Sequence, residues 1–174
     1  SCGEFYEANS SCTLMSSNIQ VLNNPRLKRI KEGFDKMVSY YTSDVLGIGN
    51  ELYMCHSWMT INNKDCQHTR HSHPNAILSL THYIEVESGD FVIDIGLPKI
   101  SDKWNFDWDI TKITKYNQNH MYVPIKKHNT IIFPGHIFHG SGINKSTTPR
   151  VMLGANYFIK GIVGSNKNVS KINL

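Results

Sequence analysis

From Glu51 onward the chain is a succession of short runs rich in β-branched and aromatic residues, and this rhythm constrains the fold more than any other feature. The runs are Leu52 to Ile61, Ala76 to Val86, Phe91 to Leu97, Met121 to Ile125, Thr130 to Phe133 and Arg150 to Ile159. Ser88-Gly89-Asp90, Pro134-Gly135 and Gly140-Ser141-Gly142 punctuate them with turn signals. The intervals are too short for the crossover helices of a parallel sheet, so the expected body is mainly β, a sandwich or jelly roll.

One segment breaks the pattern. Asn24-Pro25 opens a stretch reaching about Tyr41 in which Leu27, Ile30, Phe34, Met37, Val38 and Tyr41 recur at helical spacing. Arg26, Lys28, Lys31, Glu32 and Asp35 fill the other face, as on a surface helix packed along one side. Its expected role is to buttress the sheet. The residues before Asn24 are polar and read as a loose start. With 174 residues, 40% of them hydrophobic, the length suits one domain over 1–174. Its helical part lies at 24–41 and its β core at 52–160.

Charge and cysteines narrow the function classes. The net charge of +4 is spread over lysines scattered among Asn and Ile, without the Lys/Arg stripe interleaved with aromatics that binds nucleic acid. No apolar run approaches the roughly 20 residues that span a bilayer, and no charged-then-apolar leader opens the chain. These features predict a soluble, cytoplasmic protein. Cys2, Cys12, Cys55 and Cys66 lack metal-type CxxC spacing and read as reduced thiols. Heavy use of Asn, Ile and Lys fits an AT-rich bacterial or viral genome. Between Pro98 and Asn119, Trp104, Phe106 and Trp108 alternate among acidic residues. Long connections of this kind are often functional, so the segment is a candidate lid, with a packed insertion or edge strand as the plainer reading.

Chemistry enters with His71-Ser72-His73. In a strand, residues two apart share a face about 6 to 7 Å apart, close enough to lean onto one metal at about 2.1 Å per nitrogen. With nine histidines, chance alone gives roughly 0.4 such pairs, so the motif needs support. His139 supplies it: Thr130 to Gly135 reads as a buried strand and turn that delivers a third imidazole to the same cavity. Arg150 adds more, because only four of the eighteen basic residues are arginine. Its planar fork grips a carboxylate through two charge-assisted hydrogen bonds where lysine offers a point charge. The apolar run after it places Arg150 at the mouth of a pocket. His68 and His136 stand three residues before His71 and His139, an odd offset that on a strand puts them on the opposite face as bystanders. His56, His82, His120 and His128 have no spacing partner and read as structural or solvated.

These stretches together resemble the Fe(II)- and 2-oxoglutarate-dependent oxygenases, most closely a bacterial and phage branch with an HxHP…LSGxYY segment and an FP…H…N…R…N ending. The matching residues are His71-Ser-His-Pro-Asn-Ala-Ile-Leu-Ser-Leu-Thr-His-Tyr83 and Phe133-Pro-Gly-His-Ile-Phe-His139, then Asn144, Arg150 and Asn156, with Trp58 shortly before. The resemblance spans about 52–160. It implies a double-stranded β-helix with iron at its open end, held by His71 and His139. His73 stands where the commoner triad has Asp or Glu, which makes the ligand set three histidines. It further implies that Arg150 pairs with the distal carboxylate of 2-oxoglutarate, helped by Tyr83. Dioxygen would then be consumed in hydroxylating a C–H bond of a small molecule or protein side chain, with release of succinate and CO2. Leu80 and His82 depart from the branch's Gly and Tyr and bear on the co-substrate pocket.

Three rival readings remain at this point. A three-histidine cupin-type metalloprotein (a thiol dioxygenase, isomerase or binding module) would not use 2-oxoglutarate. Its usual glutamate, four or five residues after HxH, is replaced here by Ile77 and Leu78. A zinc hydrolase would also use three histidines and a water, with a general base nearby. A jelly-roll module without chemistry would ignore iron and 2-oxoglutarate altogether.

Overall fold

The computed structural model describes residues 2–8, 12–94, 109, 111–114, 118, 120–168 and 170–174. The six runs expected as strands each hold one, the third as far as Asp94, with 95–97 outside the described residues: β3 (Glu51–Asn62), β4 (Leu78–Glu85), β5 (Asp90–Asp94), β6 (His120–Pro124), β7 (Thr130–Pro134) and β9 (Arg150–Lys160). A short β8 (His139–Ser141) carries the third histidine, and β10 (Ile162–Val163) pairs with β11 (Ile172–Asn173) near the C-terminus. With β1 (Phe5–Ala8) and β2 (Thr13–Ser16), one sheet runs β1-β2-β3-β9-β4-β7, a second β6-β5-β8, and every pairing within them is antiparallel. This is the mainly β, jelly-roll type of architecture that the run spacing predicts.

Alternation along β4 and β9 divides two environments. Leu78 and Leu80 of β4 and Leu153, Ala155 and Tyr157 of β9 join Val21, Leu22, Phe34 and Val38 in one buried cluster. The α-helix α1 (Lys28–Tyr40) therefore lies against one face of the large sheet, as its apolar stripe requires. The Tyr157 hydroxyl donates to Asp35 at 2.9 Å and fixes the helix's position on the sheet. Ser79, Thr81 and Tyr83, and Met152, Gly154 and Asn156, alternate with that set and so face the other side, toward the second sheet. Thr81, Tyr83, Met152 and Gly154 line a cavity there. Burial thus sorts the sequence into a helix-packing face and a site-forming face.

Two expectations need correction. The residues before Asn24 are not loose: β1 (Phe5–Ala8) and β2 (Thr13–Ser16) form a hairpin that adds to the large sheet through β2–β3 pairing. Nor are all four thiols reduced, because Cys12 and Cys66 form a disulfide that ties this hairpin to the loop before His71. Such a bond is uncommon in a reducing compartment. Cys2 and Cys55 are free. Trp104, Phe106 and Trp108, on which the lid reading rested, lie outside the described residues. No helix among the described residues is long and apolar enough to cross a membrane.

Candidate active site

His71, His73 and His139 converge. Each offers one ring nitrogen, and these three atoms lie within 4.8 Å of one another. Backbone pairing sets the approach: His71 and His139 exchange both N–H···O bonds at 2.9 Å, and the His73 N–H donates to Gly135 O at 2.8 Å. Gly135 is needed for that turn, since a Cβ there would sit 2.5 Å from the Ala76 carbonyl oxygen. The Nδ1 atoms of His71 and His139 lie 2.8 Å from Thr69 O and 3.0 Å from Ile137 O. A carbonyl only accepts, so each Nδ1 carries the proton and each Nε2 presents a lone pair. His73 Nε2 lies 3.2 Å from His139 Nε2. Two lone pairs that close repel unless a proton or a cation sits between them.

Electrostatics keep these rings uncharged. Burial, together with neighbouring imidazoles, lowers His73 to about 3 and His68 to about 3. Burial lowers His139 to about 4, partly opposed by its bond to Ile137, and lowers His71 in the same direction. Neutral imidazoles with outward lone pairs are what a divalent metal requires. The donor set therefore fits a metal ion.

The histidines form a partition between two spaces. On the inner side is a cavity of about 30 Å³ whose wall includes Thr81, Tyr83, Phe91 and Ser141. On the outer side, between the β1–β2 hairpin and β3, is a cleft of about 380 Å³. Trp58, His68, His71 and His73 border both. Trp58 can lie there because its partner across the sheet is Gly154, where an added Cβ would meet the indole at 2.4 Å.

Arg150 opens β9 behind the inner cavity and has 0% exposure. It is thus not at a pocket mouth, as its position before an apolar run suggests, but enclosed between the sheets. Its guanidinium donates to Ser141 Oγ (2.9 Å), Gly142 O (2.7 Å), Ser88 O (3.3 Å) and Asn62 Oδ1 (3.4 Å). All four acceptors are neutral, and no carboxylate among the described residues is within ion-pair reach. Burial lowers its pKa, with Tyr83 acting the other way, and burial raises that of Tyr83 beyond the usual phenol range. A buried cation without a counter-charge is costly, and a carboxylate arriving through the Ser141 and Tyr83 wall would relieve that cost. The inner cavity has room for about two waters, so a larger anion requires its lining side chains to move.

His68, read from sequence as a bystander, borders both spaces and stacks on His71 with ring centroids 4.5 Å apart. The parity argument failed because 63–70 is a loop, not a strand. Asn144 is buried and ties its surroundings together, donating to Asn62 O and Thr148 O and accepting from Ser88 Oγ. Asn156 accepts from Ser79 Oγ beside the outer cleft. His136 and His56 are exposed, His56 at the cleft's rim, and His82 bonds to Thr130. His120 contacts Asp94 and Arg70.

Residues 56–156 match the model of a family described as "Putative 2OG-Fe(II) oxygenase". Among solved structures, the fold is similar to an oxidoreductase of the 2OG-Fe(II) oxygenase family from Burkholderia pseudomallei, with TM-score 0.62 and 14% identity over 89% of this chain and 72% of that one. It is similar also to HygX from Streptomyces hygroscopicus, solved with nickel and 2-oxoglutarate (TM-score 0.60, 9% identity, 90% and 73% covered). A Pseudomonas putida prolyl-4-hydroxylase gives TM-score 0.59 and 10% identity, with 91% and 79% covered. A search of curated proteins finds no match. With its family match covering most of the β core and three imidazoles converged within it, this chain belongs to the 2OG-Fe(II) oxygenases, whose cofactors are Fe(II) and 2-oxoglutarate.

Proposed function

We propose that this protein is a dioxygenase that hydroxylates a C–H bond of its substrate, with His71, His73 and His139 as iron ligands and Arg150 and Tyr83 as the anchor of the co-substrate's distal carboxylate. The observation that carries this reading is a buried arginine without counter-charge just behind a convergent set of imidazole lone pairs. When bound, iron and 2-oxoglutarate together supply oxygen activation, coupling decarboxylation to succinate with oxidation of the substrate.

The chain's own residues do the rest. Thr69 O and Ile137 O hold two rings in the tautomer that points Nε2 inward. Arg150, oriented by Ser141 and Gly142, would turn its remaining Nη1–H and its charge to one carboxylate and so fix the co-substrate's long axis. The apolar wall of Phe91, Met152 and Trp58 keeps bulk water from the inner cavity. Three neutral ligands leave the site one negative charge short of the two-histidine, one-carboxylate arrangement, so a dianionic co-substrate is the natural complement.

The second reading, a three-histidine metalloprotein that ignores 2-oxoglutarate, has the small inner cavity in its favour. Succinate release separates the two. The iron-loaded chain is expected to convert 2-oxoglutarate slowly to succinate even without substrate, and His139→Ala to abolish this. Iron bound normally with no succinate above the His139→Ala level would favour the second reading.

A further inference from the structure

The outer cleft, at about 380 Å³, falls within the roughly 300 to 1,000 Å³ usual for small-molecule sites, and neither Arg150 nor Tyr83 lines it. Trp58, His68, His71 and His73 border it and the inner cavity at once, so a molecule here would abut the histidines from outside that cavity. Strand register tells which side chains face it. Tyr6 pairs with Met15, Met15 with Thr60, and His56 with Asn156, so Tyr6, Met15, Trp58, His56 and Asn156 share one face of the large sheet. Glu7 alternates to the other face, and its carboxylate accepts the Cys12 N–H at 3.2 Å. Of the described residues around the cleft, none turns a fixed charge into it.

One polar group on this face is unfinished. Asn156 is 8% exposed, and its main chain is engaged in the sheet between β3 and β4. Its Oδ1 accepts from Ser79 Oγ at 2.8 Å, which leaves the side-chain NH2 without a partner among the described residues. A buried amide donor without an acceptor is costly, and an arriving oxygen removes that cost. A charged group entering between Trp58, Met15 and Tyr6 would instead lose its hydration and find no counter-charge on the described wall.

We propose that the outer cleft is the substrate site and that it takes an uncharged small molecule, its apolar body against Trp58, Met15 and Tyr6 and a carbonyl oxygen accepting from the Asn156 NH2. A carbonyl only accepts and this NH2 only donates, so the two are complementary. The inference rests on the oxygenase reading for calling the ligand a substrate, but not for its binding. A peptide carbonyl shares this chemistry; a cleft of this volume holds a small molecule whole, whereas a polypeptide would have to continue beyond it.

The test uses the full chain without added metal, so that it is independent of iron and 2-oxoglutarate binding. Methyl phenylacetate, phenylacetate, phenethylamine and doubly blocked Ala-Phe-Ala are titrated against two signals: the indole N–H resonance of Trp58, identified by its loss in Trp58→Phe, and the side-chain NH2 resonances of Asn156, identified by their loss in Asn156→Asp. The uncharged ester is expected to bind more tightly than either charged analogue by roughly tenfold or more, and to move the Asn156 NH2 downfield. Asn156→Asp keeps the shape but exchanges the NH2 for an oxygen, so it should weaken the ester by roughly tenfold or more and turn the preference to phenethylamine. Should that variant not fold, the ranking and the NH2 shift in the native chain decide. Equal or tighter binding of a charged analogue, absence of any shift at Trp58, or an Asn156 NH2 indifferent to the ester would overturn the proposal. Tighter binding of the blocked tripeptide than of the ester would overturn its small-molecule part. A failure here leaves iron and co-substrate binding untouched, so it is distinguishable from a failure of the oxygenase reading.

Discussion

At the scale of single residues, Arg150 and the imidazoles each leave a demand that the fold itself does not meet. Arg150 donates only to neutral oxygens, and the Nε2 atoms of His73 and His139 meet at 3.2 Å, a contact that needs a proton or a cation between them. Each deficiency is answered by one component, an anion and a cation respectively. Replacing Arg150 by Lys keeps the charge but loses the fork. Loss of one charge-assisted hydrogen bond, about 1.5 to 3 kcal/mol, corresponds to weakening of 2-oxoglutarate binding by about tenfold to a hundredfold or more. Calorimetric titration of the metal-loaded Arg150→Lys chain measures this, and unchanged affinity would remove Arg150 from the co-substrate site. Residue types were the most legible part of the site. His71, His73, His139, Arg150 and Tyr83 were all singled out from spacing and resemblance; the fold sets the three histidines and Tyr83 in one cavity wall and Arg150 behind it, bonded to Ser141. His68 was missed, because strand parity does not govern a loop.

At the scale of elements, the β1–β2 hairpin connects sequence, stability and function. It was illegible in the sequence: its strands are four residues each, too short for a periodic signal, and β1 is mostly exposed. What holds it is tertiary. Pairing of Thr13 to Met15 with Thr60 to Asn62, and the Cys12–Cys66 bond across 54 residues, fix it over the outer cleft. A loop of that length corresponds to about 4 kcal/mol in the chain-entropy model. Cys12→Ser with Cys66→Ser is therefore expected to lower Tm markedly under non-reducing conditions, and reductant should lower the native chain's Tm but not the double variant's. A native Tm indifferent to reductant would mean that the bond carries no stability. The helix, by contrast, was legible because Phe34 and Val38 face the sheet at the expected spacing; only its ends differ, as turns at Val21–Asn23 and Pro25–Leu27 precede it.

At the scale of the whole molecule, two sheets close around a cavity whose histidines are uncharged at neutral pH. Their folded-state pKa values lie below the ordinary 6.5, about 3 for His68 and His73 and about 4 for His139. The unfolded chain therefore binds more protons than the folded one between those values and 6.5, so stability is present above about 6.5 and is lost as pH falls toward 3. Metal-free protein should lose chemical-denaturation stability steadily between pH 6.5 and 4. His68→Gln should flatten part of that slope, and an equal slope in the variant would count against a buried neutral His68. The six longer strands and the helix's apolar stripe followed from run spacing and periodicity, whereas the short β1, β2, β8, β10 and β11 did not. The pairing of sheet edges did not, because register between distant strands is set by burial in three dimensions.

The central claim, that these residues assemble an iron and 2-oxoglutarate site, is tested most directly by anaerobic titration of the metal-free chain with Fe(II) and then 2-oxoglutarate, watching for the visible charge-transfer band of the chelate. The expected result is one iron per chain, a band on adding 2-oxoglutarate, no iron in His71→Ala with His139→Ala, and a weakened band in Arg150→Lys. Iron binding without a band would contradict the co-substrate assignment, and no iron binding at all would contradict the site.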